Sequence, residues 1–200
     1  MKKILLILLS LCFLFTQAYA FNPLVVCPGA VASGGSCDTV VWENGAAVTG
    51  DLDIHDNTFL AYIGQVIQDT TTKTICKVVF VVTHKTGDIS GKTFRAYIVP
   101  LDYNDDFDVG DLTEADATVT GSNSWSLSSV SFEWSAGYTF TANENYGVMI
   151  YMDGAADASN YAEFEGTSTD NIPGGSASYW NETGGEGGPA AADGKVTLYE

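Results

Sequence analysis

Short apolar-rich runs, several of them alternating with polar residues, recur along the chain after Ala20, and no stretch there places apolar residues at helical spacing between caps. Period-two alternation predicts β-strands. Thr39 to Trp42 is a first short run, and Phe59 to Ile67 a second. Thr74 to Lys85 is the richest in β-branched residues. Within it Cys76, Val78, Phe80 and Val82 fall on one face. Lys77 falls on the other, together with apolar Val79 and Val81, which predicts a central strand covered on both sides for part of its length. Gly87 to Gly91 reads as a turn and Thr93 to Leu101 as the returning strand. Leu127 to Trp134 sets Leu127, Val130, Phe132 and Trp134 against serines and Glu133, with one step out of phase, read as a bulge. Tyr146 to Met152, Asn160 to Glu165, Ser176 to Trp180 and Lys195 to Tyr199 complete the set.

Turns rich in Gly, Asn, Asp and Ser separate these strands at the spacing of a sandwich. The expected fold is all-β: two packed antiparallel sheets in a β-sandwich, with loops as the natural place for a ligand. No internal repeat or interdomain linker is visible. Residues 1–20 form a leader and 58–200 the sandwich. Residues 21–57 form an N-terminal segment of the same domain, holding the first strand and a cysteine loop.

The leader reading rests on three features. Lys2 and Lys3 make a positive start, Ile4 to Phe15 are almost continuously apolar, and Ala18-Tyr19-Ala20 offers a small-x-small cleavage site before Phe21. The apolar run is shorter than the roughly 20 residues that span a bilayer. A lipoprotein reading through Cys12 fails on Leu11, which is not small. The expectation is export to the periplasm or the outside, with no membrane insertion of the mature chain.

Charge narrows the partners. The 25 Asp and Glu residues face eight Lys and Arg, a net charge of −17 at pH 7 that loss of Lys2 and Lys3 deepens by two. Such a surface repels phosphate backbones and anionic lipid, which excludes nucleic acid as a partner. Export permits disulfides among the remaining cysteines. Cys27 and Cys37 flank a flexible Gly- and Ser-containing segment and are the preferred pair, leaving Cys76 as a small buried hydrophobe. Pairing of Cys76 with one of the other two is the alternative.

Several segments stand in a familiar order: Gly64 to Ile67, Thr74 to Phe80, Gly91 to Ile98, then an acidic loop. Leu127, Phe132, Asn145 to Ile150, Gly174 to Trp180 and Lys195 to Tyr199 follow. This order resembles the jelly-roll-like sandwich domains of bacterial surface proteins called choice-of-anchor domains, over Thr58 to Glu200. The resemblance implies a jelly-roll-like, non-catalytic extracellular module and carries no catalytic residues. Members of that group continue into an anchoring or sorting segment, whereas Glu200 here ends the sequence in a strand, so free secretion is as open as surface attachment.

Three candidate sites follow from residue chemistry, and the histidines supply none. In the acidic loop, Asp102, Asn104, Asp106 and Asp108 have the one-three-five-seven spacing of a calcium loop. Phe107 replaces its glycine and Thr113 its bidentate acid, so a solvated turn is the competing reading. Glu163 and Glu165 share one strand face with Tyr161 at a separation that does not exclude a glycosidase pair, although such pairs usually come from different strands across a cleft; the competing and favoured reading is a plain acidic solvent face. His55 and His84 have no partner at metal-ligand spacing, and Cys76 and His84 are too far apart along one strand to pair. Tyr161, Tyr179, Trp180 and Asn181 lie beside Gly-rich loops and suit stacking of sugar rings, against ordinary core packing.

The sequence therefore points to a secreted, non-enzymatic sandwich that binds or displays, with a glycan as candidate ligand, no cofactor and calcium as an option. A structural subunit of an extracellular or virion-like assembly is the second reading, and a glycoside hydrolase the third.

Overall fold

A computed structural model gives the fold, and it describes residues 37–44, 50–54, 62–153, 159–167, 177–189 and 193–200. The leader, Cys27 and His55 lie outside these described residues. The strands are β1 (Val40–Glu43), β2 (Gly50–Ile54), β3 (Tyr62–Gln68), β4 (Lys73–Thr86) and β5 (Thr93–Pro100). Then follow β6 (Thr113–Glu114), β7 (Val119–Thr120), β8 (Ser128–Phe140), β9 (Asn145–Asp153) and β10 (Tyr161–Thr167). The chain closes with β11 (Ala177–Trp180), β12 (Glu186–Pro189), β13 (Asp193–Gly194) and β14 (Val196–Tyr199).

They form two antiparallel sheets, the expected β-sandwich. The first contains β1, β14, β4, β10 and β13, with β8 on β4 and β2 on β10. The second runs β12-β11-β3-β9-β5-β6, with β7 also on β5. From β3 to β5, and again from β8 to β11, successive long strands enter opposite sheets, a jelly-roll-like path. Among the described residues no helix is long and apolar enough to cross a membrane.

Period-two alternation fills the space between the sheets. Val78, Phe80 and Val82 from β4 meet Phe132 from β8 and Phe164 from β10, with the Phe80 ring edge-on to Phe132 at 5.9 Å and to Phe164 at 5.4 Å. Phe94, Ala96 and Ile98 of β5 and Val148, Ile150 and Met152 of β9 face them. One polar side chain ties the layers together. Gln65 of β3 is fully buried; its Oε1 accepts the Gly194 amide at 2.6 Å and its Nε2 donates to the Val66 carbonyl at 3.1 Å. Buried amides must be satisfied, and Gln65 does so by bridging the sheets.

Three expectations change. Cys37 is bonded to Cys76, with Cα atoms 6.0 Å apart, so the Cys27–Cys37 pair gives way to the alternative and Cys76 is not a free thiol. A register shift between Ile75 and Lys77 is the physical reason: it breaks the alternation, puts Ile75 in the core and takes Cys76 out of the Val78–Phe80–Val82 face. Leu127 is likewise not an inward residue. It precedes β8 in the left-handed region (φ 52°) and is 57% exposed, its amide held by Thr83 Oγ1 at 2.9 Å.

Among the described residues β8 is paired only to β4, yet its outer edge is partly claimed. The segment after β6 crosses from one sheet to the other. Ala115 N–H donates to the Ala96 carbonyl in the second sheet at 3.0 Å, and the next amide, Asp116, donates to the Glu133 carbonyl in the first at 2.8 Å. The Asp116 carboxylate accepts the Ser135 amide, and the Trp134 indole donates to the Thr113 carbonyl at 3.2 Å.

Candidate functional site

The sequence-predicted glycan residues do not assemble. Adjacent residues on a strand face opposite ways. Tyr179 accordingly packs against the main core, while Trp180 points to the outer face of the second sheet, where it is 0% exposed. Its indole N–H donates to the Asp105 carbonyl at 2.7 Å. A fully covered ring cannot stack on a sugar, so Trp180 leaves the candidate list. Asn181 is a turn residue: its Oδ1 accepts from the Thr183 amide at 2.9 Å and the Gly185 amide at 3.1 Å. Tyr161 sits on β10, in the other sheet.

Glu163 and Glu165 are not a solvent face. They are 5% and 6% exposed, because every residue of β10 from Ala162 to Thr167 is buried between β4 and β2. Lys85 Nζ lies 2.8 Å from Glu163 Oε1. Neither acid opens to a cleft among the described residues. His84 Nε2 sits 2.8 Å from the Gly87 carbonyl, within its own turn.

The acidic loop folds over the outer face of the second sheet. Asp102 Oδ1 accepts the amides of Asn104 at 2.7 Å and Asp106 at 3.1 Å, and Asp108 Oδ1 accepts the Gly110 amide at 2.8 Å. These carboxylates hold loop amides, and Asn104 is exposed. Asp102, Asp106, Asp108, Asp111 and Thr183 line an open depression of about 640 Å³ above Phe107. Among the described residues no three His, Cys, Asp or Glu side chains converge to hold a metal ion. Beneath the loop, Phe107, Val66, Val99, Met149 and Trp180 make a second small core.

Beside that small core the same sheet face carries three half-buried tyrosines, one from each of three neighbouring strands. Tyr62 comes from β3, Tyr151 from β9 and Tyr97 from β5. Register brings them together. Ile63 pairs with Ile150, Arg95 with Tyr151 and Tyr97 with both Met149 and Glu114. The Tyr62 ring lies 5.4 Å from Tyr151 with planes 35° apart, and 5.6 Å from Tyr97 with planes at 87°. Phe107 supports Tyr62 from the loop at 5.7 Å.

The polar surroundings of this face are charged. Arg95 Nη1 donates to Glu114 Oε1 at 2.5 Å, and its Nε and Nη2 donate to Asp153 Oδ2 at 3.3 and 3.1 Å. Burial raises the Tyr62 pKa, with Glu182 and Glu114 adding to it. Burial, helped by Glu114, pushes Tyr97 up to about 12, so both phenols stay protonated donors. Among the described residues no hydrogen bond reaches the Tyr62 or Tyr97 hydroxyl.

Sequence reasoning missed these tyrosines because they lie far apart in the chain and only sheet pairing joins them. The signal present was parity: Tyr62, Tyr97 and Tyr151 each fall opposite the core-facing residues of their strands. Together, fold and site define an antiparallel sandwich with an aromatic patch on one outer sheet face. No protein-family model and no curated protein matches the chain.

Proposed function

We propose that the protein is an exported, non-catalytic β-sandwich module that binds a glycan on the outer face of its second sheet. The observation that carries this reading is the gathering of Tyr62, Tyr97 and Tyr151 on one half-buried face, where among the described residues no hydrogen bond reaches the Tyr62 or Tyr97 hydroxyl. Sugars present flat C–H faces that stack on aromatic rings and hydroxyls that pair with phenols, amides and carboxylates. A half-buried tyrosine ordinarily finds a hydrogen-bond partner, and here a ligand hydroxyl fills that role. The leader-like N-terminus, the disulfide and the resemblance to choice-of-anchor surface domains support an extracellular setting.

The assembly reading has less behind it. Large exposed hydrophobics among the described residues are Val40 on β1, Tyr103 and Val109 in the acidic loop, and Leu127 before β8. A hydrolase would need open, converging acids, and Glu163 is ion-paired and buried.

A glycan-array screen of the purified mature chain tests the proposal. Binding that disappears in Tyr62→Ala and Tyr151→Ala, and persists in Tyr161→Ala, supports it. Binding that needs Tyr161 and ignores Tyr62 moves the site to the other sheet and defeats it.

A further inference from the structure

The charged flank of the tyrosine face says which glycans it admits. A guanidinium has five N–H groups. Arg95 uses three of them on Glu114 and Asp153, so two remain to donate outward. Glu114 and Asp153 each keep a carboxylate oxygen outside those bonds, and both residues are exposed. The flank thus offers donors and acceptors side by side, the mixture that sugar hydroxyls need. Its net charge is negative, one cation against two carboxylates, within a chain of net charge −17. Glu182 adds to the negative field at Tyr62.

A uronate or sulfate group would enter a field of its own sign. The guanidinium beside the rings is already neutralised twice over. The rings also do not form a level shelf, since Tyr62 and Tyr151 are inclined by 35° and Tyr97 stands edge-on at 87°. A flat crystalline surface touches one such ring at a time, whereas a single chain that turns between residues meets two. Resting on the glycan reading above, we infer that the tyrosine face takes a single uncharged glycan chain. Arg95, held by Glu114 and Asp153, is the positioning residue that pairs with its hydroxyls.

Titration calorimetry decides the point. The wild-type chain is mixed with neutral hexaoses (xylo-, manno- and β-gluco-), with oligogalacturonate of the same length and with sulfated galactan fragments. Adsorption to microcrystalline cellulose is measured in parallel. The expected result is binding to at least one neutral series, with affinity unchanged between about 50 and 500 mM salt. The charged chains bind at least about tenfold more weakly, a gap of about 1.4 kcal/mol. The Tyr62→Phe variant keeps the ring, removes the hydroxyl and weakens neutral binding with its unfolding midpoint unchanged.

The decisive variant is the double change Glu114→Gln with Asp153→Asn. It removes two negative charges and leaves the positive charge of Arg95 uncompensated. Oligogalacturonate binding is expected to appear in it, weakened by salt. Failure of the folded double variant to gain charged ligands overturns the claim that Glu114 and Asp153 are what exclude them. Salt-sensitive binding of charged chains by the wild type overturns the inference and leaves the glycan reading standing. Adsorption to crystalline cellulose without binding to soluble chains overturns the single-chain part. Binding to none of these, with a blank glycan array, overturns both.

Discussion

Trp180 and Asp105, 75 residues apart, are joined by an indole N–H to carbonyl bond of 2.7 Å that fastens the acidic loop to the second sheet. Asp105 is in the left-handed region at φ 60°, and its carboxylate accepts from Asn145 Nδ2 at 3.0 Å. The loop is therefore pinned at its tightest turn by two different strands. It also covers the ring that sequence reasoning had assigned to a ligand.

Replacing Trp180 by Phe removes the donor and leaves the Asp105 carbonyl without it. The expected cost is about 1–3 kcal/mol for the orphaned acceptor, with more for the smaller ring. Urea denaturation measures it. An unchanged midpoint would show that the loop is held by other contacts.

The Cys37–Cys76 bridge closes a span of 39 residues and ties the segment before β1 to β4. In the chain-entropy account a loop of that size contributes about 4 kcal/mol. Cys37→Ser with Cys76→Ser is expected to lower the denaturation midpoint by a matching amount. Peptide mapping without reductant should recover the segment of Cys37 linked to that of Cys76. Recovery of a Cys27–Cys37 peptide would defeat the assignment.

Acid should weaken the fold through three aspartates. Ser90, by its hydroxyl and amide, and Asn123 lower Asp88 to about 2. The Ser135 amide lowers Asp116. Burial works to raise Asp69, but the Lys73 ammonium and Thr71 outweigh it and the pKa falls. Each carboxyl titrates lower in the folded chain than in the unfolded one. Its stabilisation is complete above the ordinary value of 3.8 and fades as pH drops through the folded value, which is about 2 for Asp88. Urea midpoints should hold at neutral pH and decline through that window. Asp88→Asn should flatten the decline. A slope unaltered by this change would place the acid sensitivity elsewhere.

Gly64 sits on the tyrosine side of β3, between Tyr62 and Val66. A Cβ there would fall 2.1 Å from the Val148 carbonyl oxygen of the neighbouring strand. The Gly64→Ala change is expected to cost at least about 1–3 kcal/mol by overpacking and to displace β9. Because β9 carries Tyr151, glycan affinity should fall together with stability. A variant as stable as the wild type would show that the two strands separate easily.

Strand positions were legible where physics is local. The strands β4 and β9 are dense in β-branched or bulky apolar residues with a period of two, and the sequence places both to within a residue at each end. The strand β2, read as Gly50-Asp51-Leu52-Asp53-Ile54, was invisible because Gly and Asp are poor strand formers. Pairing along β10 makes it a strand. The short β6 and β7 were equally hidden, since their partner β5 defines them.

The site was less legible, for a different reason. Parity tells which side of a strand a residue takes, but not what covers that side. Trp180 and Tyr62 share one outer face, and the loop between β5 and β6 buries the first and leaves the second half-open. Glu163 and Glu165 mislead in the same way, acidic by residue type yet enclosed.

The crossing made by Ala115 and Asp116 has a consequence for life in a crowded medium. A strand of 13 residues with a bare flank is a landing strip for another copy's backbone. Here the carbonyl of Glu133 and the amide of Ser135 are already engaged, so an incoming strand meets only a short stretch before it collides with the strap. Little of this edge is therefore left for a second backbone to pair with.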